Sequence, residues 1–367
     1  MTHLTPPTIR PTHTTMPPTP PTSEASHTAT GVRAGLLPLI VQFRSVLALA
    51  VLVLLLSLTT DSFWSEKNLQ NVLRQISVNL CLSVGMTLVV LTGGIDLSVG
   101  STLALAGAVA AGLAKSGLRI EPWNTLVEFT PAGAMLAGVA TGLLVGLVNG
   151  TAVTVFRLPP FVATLGMLSI ARGLTMLWTG GNPIHDLGPA FSFLGNGRLD
   201  AVPFLGWVPM LIVVAGALAA VVAVVTGQTR FGRGLYAVGG NERAAAVSGL
   251  PVAAIKRGAY LWCGALAGVA GVLLASRLNA ATPDAGVGYE LDAIAAVVIG
   301  GASLGGGRGT IGGTVLGCLL IGVLNIGLVL LDVSPYWQQV IKGLVILAAV
   351  AIDRATAGRP TSPGSSS

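Results

Sequence analysis

Asp96 is the lone carboxylate of LVVLTGGIDLSVGSTLALA, residues 88–106, a stretch that is otherwise apolar enough for a membrane interior. An ionised Asp at the bilayer centre costs roughly 2.5–3.5 kcal/mol, so this residue is expected to face a protein interior, a water-filled path or an interface. Gly93, Gly94 and Gly100 allow a helix to stop and restart around it, a break that lipid forbids for exposed backbone and a lined cavity permits. Two roles fit: Asp96 lines a path for a polar solute, or it caps the helix that follows. Asn79, Asn149 and Asn325 are amides inside other apolar runs. Each suits a hydrogen bond to a neighbouring helix, or to a neutral polyol where several converge. Arg172 and Lys342 lie about two turns from helix ends and are expected to reach for headgroups. Tyr289, Glu290 and Asp292 fall near an outer loop, as a solvated turn or as part of a docking surface for a partner.

A second group of informative residues lies in the loop 227–257. The string VGGNERAAAVSGLP predicts a short helix: Asn241 as N-cap, Glu242 in the positively polarised first turn, Ala244 to Ala246 propagating, Gly249 closing the end and Pro251 opening the next segment. Two turns of helix are marginal alone in water, so packing must hold them, and Val247 and Leu250 are the apolar side chains available. The segment either rests on its own bundle or carries function, as loops often do.

Other chemistries are poorly served. His3, His13 and His27 lie in the N-terminal tail and His185 in an outer loop, so haem and most metal sites lack ligands at depth. Cys81, Cys263 and Cys318 sit in apolar runs without disulfide or CxxC spacing and read as small core residues. No GxxxxGK[ST] occurs; GGGRGTIGG has glycines but no Lys to reach a phosphate, so ATP must be handled by another chain.

The elements that position these residues are membrane helices. With 52% hydrophobic and 9% charged residues and a mean hydropathy of +0.79, the chain is an all-α polytopic membrane protein. About ten apolar runs are long enough to consider, near 38–60, 76–93, 97–114, 132–156, 160–178, 205–226, 258–276, 291–304, 309–331 and 336–352, the eighth being short and rich in glycine. Placing both termini in the cytoplasm puts twelve Lys and Arg residues on inner segments and half as many on outer ones, and puts Trp64, Trp123, Trp178, Trp207 and Trp337 at outer boundaries. The net charge of +6 then reflects topology and not a nucleic-acid partner. Residues 1–34, rich in Thr and Pro, are expected to be a disordered cytoplasmic tail, 35–355 the transmembrane domain and 356–367 a loose end. Gly138, Gly142, Gly146 and Gly150 recur on one helix face and predict close approach of a neighbour, as do Gly264 with Gly268 and Gly313 with Gly317. TGGIDLSVGS and IGGASLGGGRGTIGG are faintly alike.

Three strings in order, GGIDLSVGS at 93–101, AVGGNERAAAVSGL at 237–250, and GYELDAIAAVVIGGASLGGGRGTIGG at 288–313 followed by SPYWQQVIKGLVIL, resemble the integral-membrane permease of ribose-type (monosaccharide) ABC importers. The resemblance covers roughly residues 68–352 and leaves out the Thr/Pro tail. It implies a bundle of about ten helices in the cell membrane, paired as a homo- or heterodimer, that takes sugar from an extracytoplasmic binding protein. It also implies a cytoplasmic ATPase that binds ATP and Mg, with no cofactor in this chain. By that resemblance Gly239, Gly240, Asn241, Glu242, Arg243, Ala244, Ala245 and Gly249 form the coupling region seated in the ATPase. An ion-coupled secondary transporter of a small polar solute is the competing class; it requires paired ionisable groups within the membrane, of which Asp96 alone stands out.

Overall fold

In the computed structural model, residues 36–120, 124–198 and 206–356 are described. The expected tail 1–34, the C-terminal end beyond 356 and Trp123 lie outside them. Phe43–Ser367 form one compact unit; of the other, Met1–Gln42, only the first turns of α1 are described.

A helix occupies every expected apolar run: α1 Leu36–Thr59, α2 Glu66–Leu91, α3 Val99–Ser116, α4 Pro131–Thr154, α5 Pro160–Thr179, α7 Met210–Gln228, α10 Val252–Leu278, α11 Tyr289–Ile299, α12 Ile311–Leu330 and α13 Pro335–Thr356. Among the described residues seven of these, α2 to α5, α7, α10 and α12, are long and apolar enough to cross a membrane. Among the described residues three short helices accompany them: α6 Pro189–Asn196, α8 Arg230–Gly240 and α9 Glu242–Val247. Their starts follow capping chemistry: Ser65, Thr130 and Thr310 accept hydrogen bonds from the backbone N–H groups of Asn68, Gly133 and Gly313 at 3.3, 3.1 and 3.0 Å. Pro131 and Pro160 occupy first-turn positions where no backbone donor is needed.

At 11 residues α11 is about 16 Å long, half of what crossing a bilayer core of about 30 Å requires. It ends because the following loop, 300–310, holds Gly301, Gly306, Gly307 and Gly309 at positive φ, a region side chains avoid. The eighth apolar run is therefore a short helix followed by a folded glycine loop.

α10 is the centre of the bundle, packed against α2, α3 and α4. It meets α4 backbone to backbone. A Cβ at Gly142 would lie 2.7 Å from the Gly268 Cα, one at Gly146 would overlap the Tyr260 carbonyl, and one at Gly150 would lie 3.0 Å from the Arg257 Cα. Gly138 faces α3, where a Cβ would lie 2.7 Å from the Ala106 carbonyl, so the glycine stripe of α4, one every four residues, is spent on helix packing. Gly313 and Gly317 do the same for α12 against Gly300 and Ala296. On the far side α6, which has no counterpart among the expected runs, is tied to the end of α10: the buried Ser276 hydroxyl donates to the Phe191 carbonyl at 2.6 Å and accepts from the Gly195 N–H at 2.7 Å.

Gly142→Val must force α4 and α10 apart, an overpacking cost of roughly 1–3 kcal/mol. The expected outcome is a lowered midpoint of thermal unfolding in detergent. Gly216→Ala in α7, where a Cβ meets nothing within 4 Å, should leave the midpoint unchanged or slightly raised. Equal loss in both variants would contradict the packing assignment.

Candidate functional site

α8 and α9 follow one another through Asn241 and pack together, and their local chemistry matches their sequence. Thr229 caps α8, accepting from the Gly232 N–H at 3.1 Å, and the Asn241 Oδ1 caps α9, accepting from the Ala244 N–H at 3.0 Å. Gly249 closes α9 at φ +81°. Glu242, in the first turn of α9, reaches across to α10 and pairs with Lys256 at 2.6 Å. The packing differs from expectation in one respect: Ala245 is buried and Leu250 half-buried, whereas Val247 is 90% exposed. In so short a helix one face alone meets the bundle, and Val247 is on the other. Gly240, Asn241, Glu242, Arg243 and Ala244 lie on the exposed or half-exposed side with it.

The other end of this unit is wedged into the bundle. Gly239 lies against the Leu91 carbonyl at the end of α2 and against the Gly307 N–H, with no space for a Cβ. The Gly307 N–H in turn donates to the Leu91 carbonyl at 3.0 Å, and the Tyr236 hydroxyl donates to the Gly309 carbonyl at 2.9 Å. Burial pushes the Tyr236 pKa up, which keeps the phenol neutral as a donor. A Cβ on Gly306 would lie 2.9 Å from the Gly93 N and 2.9 Å from the Gly239 O. The two glycine-rich strings that look alike in the sequence thus touch one another, one ending α2 and the other ending α11, with α8 pressed on both.

The four candidate path residues separate into two pairs. Asp96 is 2% exposed; its Oδ1 accepts from the Ser98 N–H at 2.9 Å and the Ser98 hydroxyl at 2.7 Å. Asn149 of α4 donates to both Asp96 oxygens at 3.4 Å and to the Ser98 Oγ at 2.9 Å. Asp96 therefore shapes the turn that enters α3 and fastens it to α4, and in this conformation it is enclosed. Asn79 of α2 and Asn325 of α12 come together in a separate cavity of about 10 Å³, the size of about one water, lined also by Gln75, Tyr289, Asp292 and Gly322. The Asn325 amide lies 3.5 Å from Asp292, and its buried Oδ1 has no hydrogen-bond partner among the described residues.

Three expectations are corrected here. Tyr289 and Asp292, expected at an outer docking surface, face inward: three residues apart on α11, they share the helix face packed on α2 and α12, and Asp292 is 6% exposed. Glu290 beside them is half-buried. Lys342 does not extend to headgroups but forms an ion pair with Asp292 at 3.0 Å, since a buried carboxylate needs a counter-charge. Arg172 donates to the Pro283 and Ala285 carbonyls at 2.6 and 2.8 Å, so it is spent on the loop that leads into α11. Gln75 was missed, although its position four residues before Asn79 places both amides on one face of α2.

Among protein families, the one described as branched-chain amino acid transport system / permease component matches residues 68–350. The ribose import permease protein of Escherichia coli K12 is 45% identical over 84% of this chain and 92% of its own length. That of Bacillus subtilis is 46% identical over 84% of the chain and 91% of its own length. The galactose/methyl galactoside import permease protein of E. coli K12 is 36% identical over 83% of the chain and 91% of its own length. The chain accordingly belongs to the family of branched-chain amino acid transport system permease components.

Proposed function

We propose that this chain is the membrane-spanning permease of an ATP-driven ABC importer that brings a monosaccharide, ribose or a related pentose or hexose, into the cytoplasm by alternating access. The observation that carries the reading is α9: a capped, outward-facing helix whose stem is wedged between the loops ending α2 and α11. The substrate class rests on the relatives named for ribose and galactose import. Those names lend the ion-gradient alternative no support. A cytoplasmic ATPase grips α9 at Asn241 to Ala244 and at Val247, the buried Ala245 being held by the bundle instead of the partner, and supplies ATP and Mg. An extracytoplasmic binding protein delivers the sugar on the opposite side, with Glu290 at the rim of its docking surface. A second permease copy, identical or related, completes the assembly in the cell membrane, with both termini in the cytoplasm.

The mechanism follows from the contacts. Closure of the ATPase pushes α9; α8 moves with it; and the Gly239 and Tyr236 contacts carry the push to the loops at 92–98 and 300–310. α11 hangs from the second loop, and its other end forms one wall of the Asn79–Asn325 cavity. Displacing α11 widens that cavity. Amides and a carboxylate offer a neutral polyol the hydrogen bonds it gives up on leaving water, and the unpartnered Asn325 Oδ1 is one acceptor ready for a hydroxyl. ATP binding and the loaded binding protein each favour one of the two states of this element.

Reconstitution of the permease with its ATPase and binding protein in proteoliposomes tests the reading. Ribose or a related monosaccharide is expected to stimulate ATP hydrolysis; stimulation by another solute class, with every sugar inert, would reject the substrate assignment. Gly239→Val, which cannot fit against Leu91 and Gly307, is expected to cut transport at least about tenfold, the effect of roughly 1.4 kcal/mol, while the complex still assembles on size-exclusion chromatography. Asn325→Leu is expected to reduce sugar uptake strongly while unstimulated ATP hydrolysis remains at its normal rate. Unchanged uptake by that variant would remove the cavity from the path.

A further inference from the structure

Beside α9 an open groove of about 510 Å³ runs between the α4–α5 turn and the start of α10, bounded by Thr154, Arg157, Pro159, Glu242 and Lys256. Three cations gather here against one carboxylate. Arg157 is exposed and makes no ion pair among the described residues. Lys256 is engaged by Glu242, and Arg257 is held to the Thr154 hydroxyl at 3.4 Å. Arg157 is held in the left-handed region at φ +54°, where a side chain other than glycine is uncommon, so the turn presents it at a fixed place. Apolar residues near it in the chain, just outside the groove's own lining, are open: Phe156 is 71% exposed, Val155 56%, and Phe161 and Val162 54% each.

Cations framed by exposed apolar side chains at the cytoplasmic end of membrane helices match an amphiphile with an anionic head. A phosphate headgroup meets the cations while acyl chains cover the exposed Phe156 and Phe161. We propose that the groove binds the phosphate headgroup of an anionic phospholipid, with Arg157 and Lys256 as its cationic partners and the acyl chains lying on Phe156, Phe161 and Val162. Lys256 is shared: the phosphate and Glu242 compete for it, so lipid occupancy loosens the one ion pair that fastens α9 to α10. The cytoplasmic placement and the importance of α9 rest on the importer reading, but lipid binding itself is measured on the permease alone.

The purified full-length permease in detergent is titrated with phosphatidylglycerol or phosphatidylcholine and bound lipid is counted by native mass spectrometry. Phosphatidylglycerol is expected to be retained in preference, and Arg157→Gln and Lys256→Gln each to weaken it about fivefold. Arg157→Lys should restore binding, and Arg119→Gln, on another loop, should leave it unchanged. Glu242→Gln, which frees Lys256, should strengthen it. Equal retention of the two lipids, indifference to Arg157→Gln, or no gain from Glu242→Gln would overturn the proposal. Complete displacement of the lipid by the partner ATPase would overturn it too, by assigning the groove to that protein. None of these results bears on sugar-stimulated ATP hydrolysis, so the importer reading stands or falls separately.

Discussion

Gly142, Gly146 and Gly264 bring α4 and α10 together until main chain meets main chain, and Gly313 and Gly317 do the same for α12 and α11. Within lipid there is no water to expel, so helices associate through close packing and through hydrogen bonds, and close packing needs small residues at the seam. The contacts between α8 and the two glycine loops follow the same rule. Gly239, Gly306 and Gly307 leave no slack between the stem of α9 and the ends of α2 and α11. A junction without side chains transmits displacement without first compressing anything, which is what a lever between a cytoplasmic partner and a membrane-buried cavity requires.

Polar groups inside the bundle are economical and paired. Asp96 has Ser98 and Asn149, Asp292 has Lys342 and Asn325, and the Thr87 and Thr314 hydroxyls meet at 2.7 Å between α2 and α12. Each pair also fixes one helix to another. Among the described residues the buried side-chain atoms without a hydrogen-bond partner are Asn325 Oδ1, Asn149 Oδ1, the Tyr260 and Thr60 hydroxyls and Arg74 Nε. Of these, Asn325 borders a polar cavity, which is why it is assigned to the solute and the others to the scaffold.

Features encoded locally were legible from sequence. The cap at Asn241, the left-handed Gly249, the glycine stripe of α4 and the positions of the apolar helices all depend on spacing within one segment. What escaped depends on partners distant in the chain. The side of α11 that carries Tyr289 and Asp292 is decided by α2 and α12, the fate of Lys342 by a carboxylate fifty residues earlier, and the exposure of Val247 by which face of a two-turn helix the bundle accepts. Apolar character alone made Val247 look like an anchor; the smaller Ala245 fits the close contact instead.

The central claim is that α9 and α11 move as one body relative to α4. Pulsed electron spin resonance on the reconstituted complex, with spin labels at Val247→Cys, Leu291→Cys and Leu136→Cys, all exposed positions, measures it directly. The account predicts that binding a non-hydrolysable ATP analogue to the partner ATPase changes the 291–136 separation while the 247–291 separation stays constant. A shift of 247 relative to 136, with 291 fixed against 136, would contradict it.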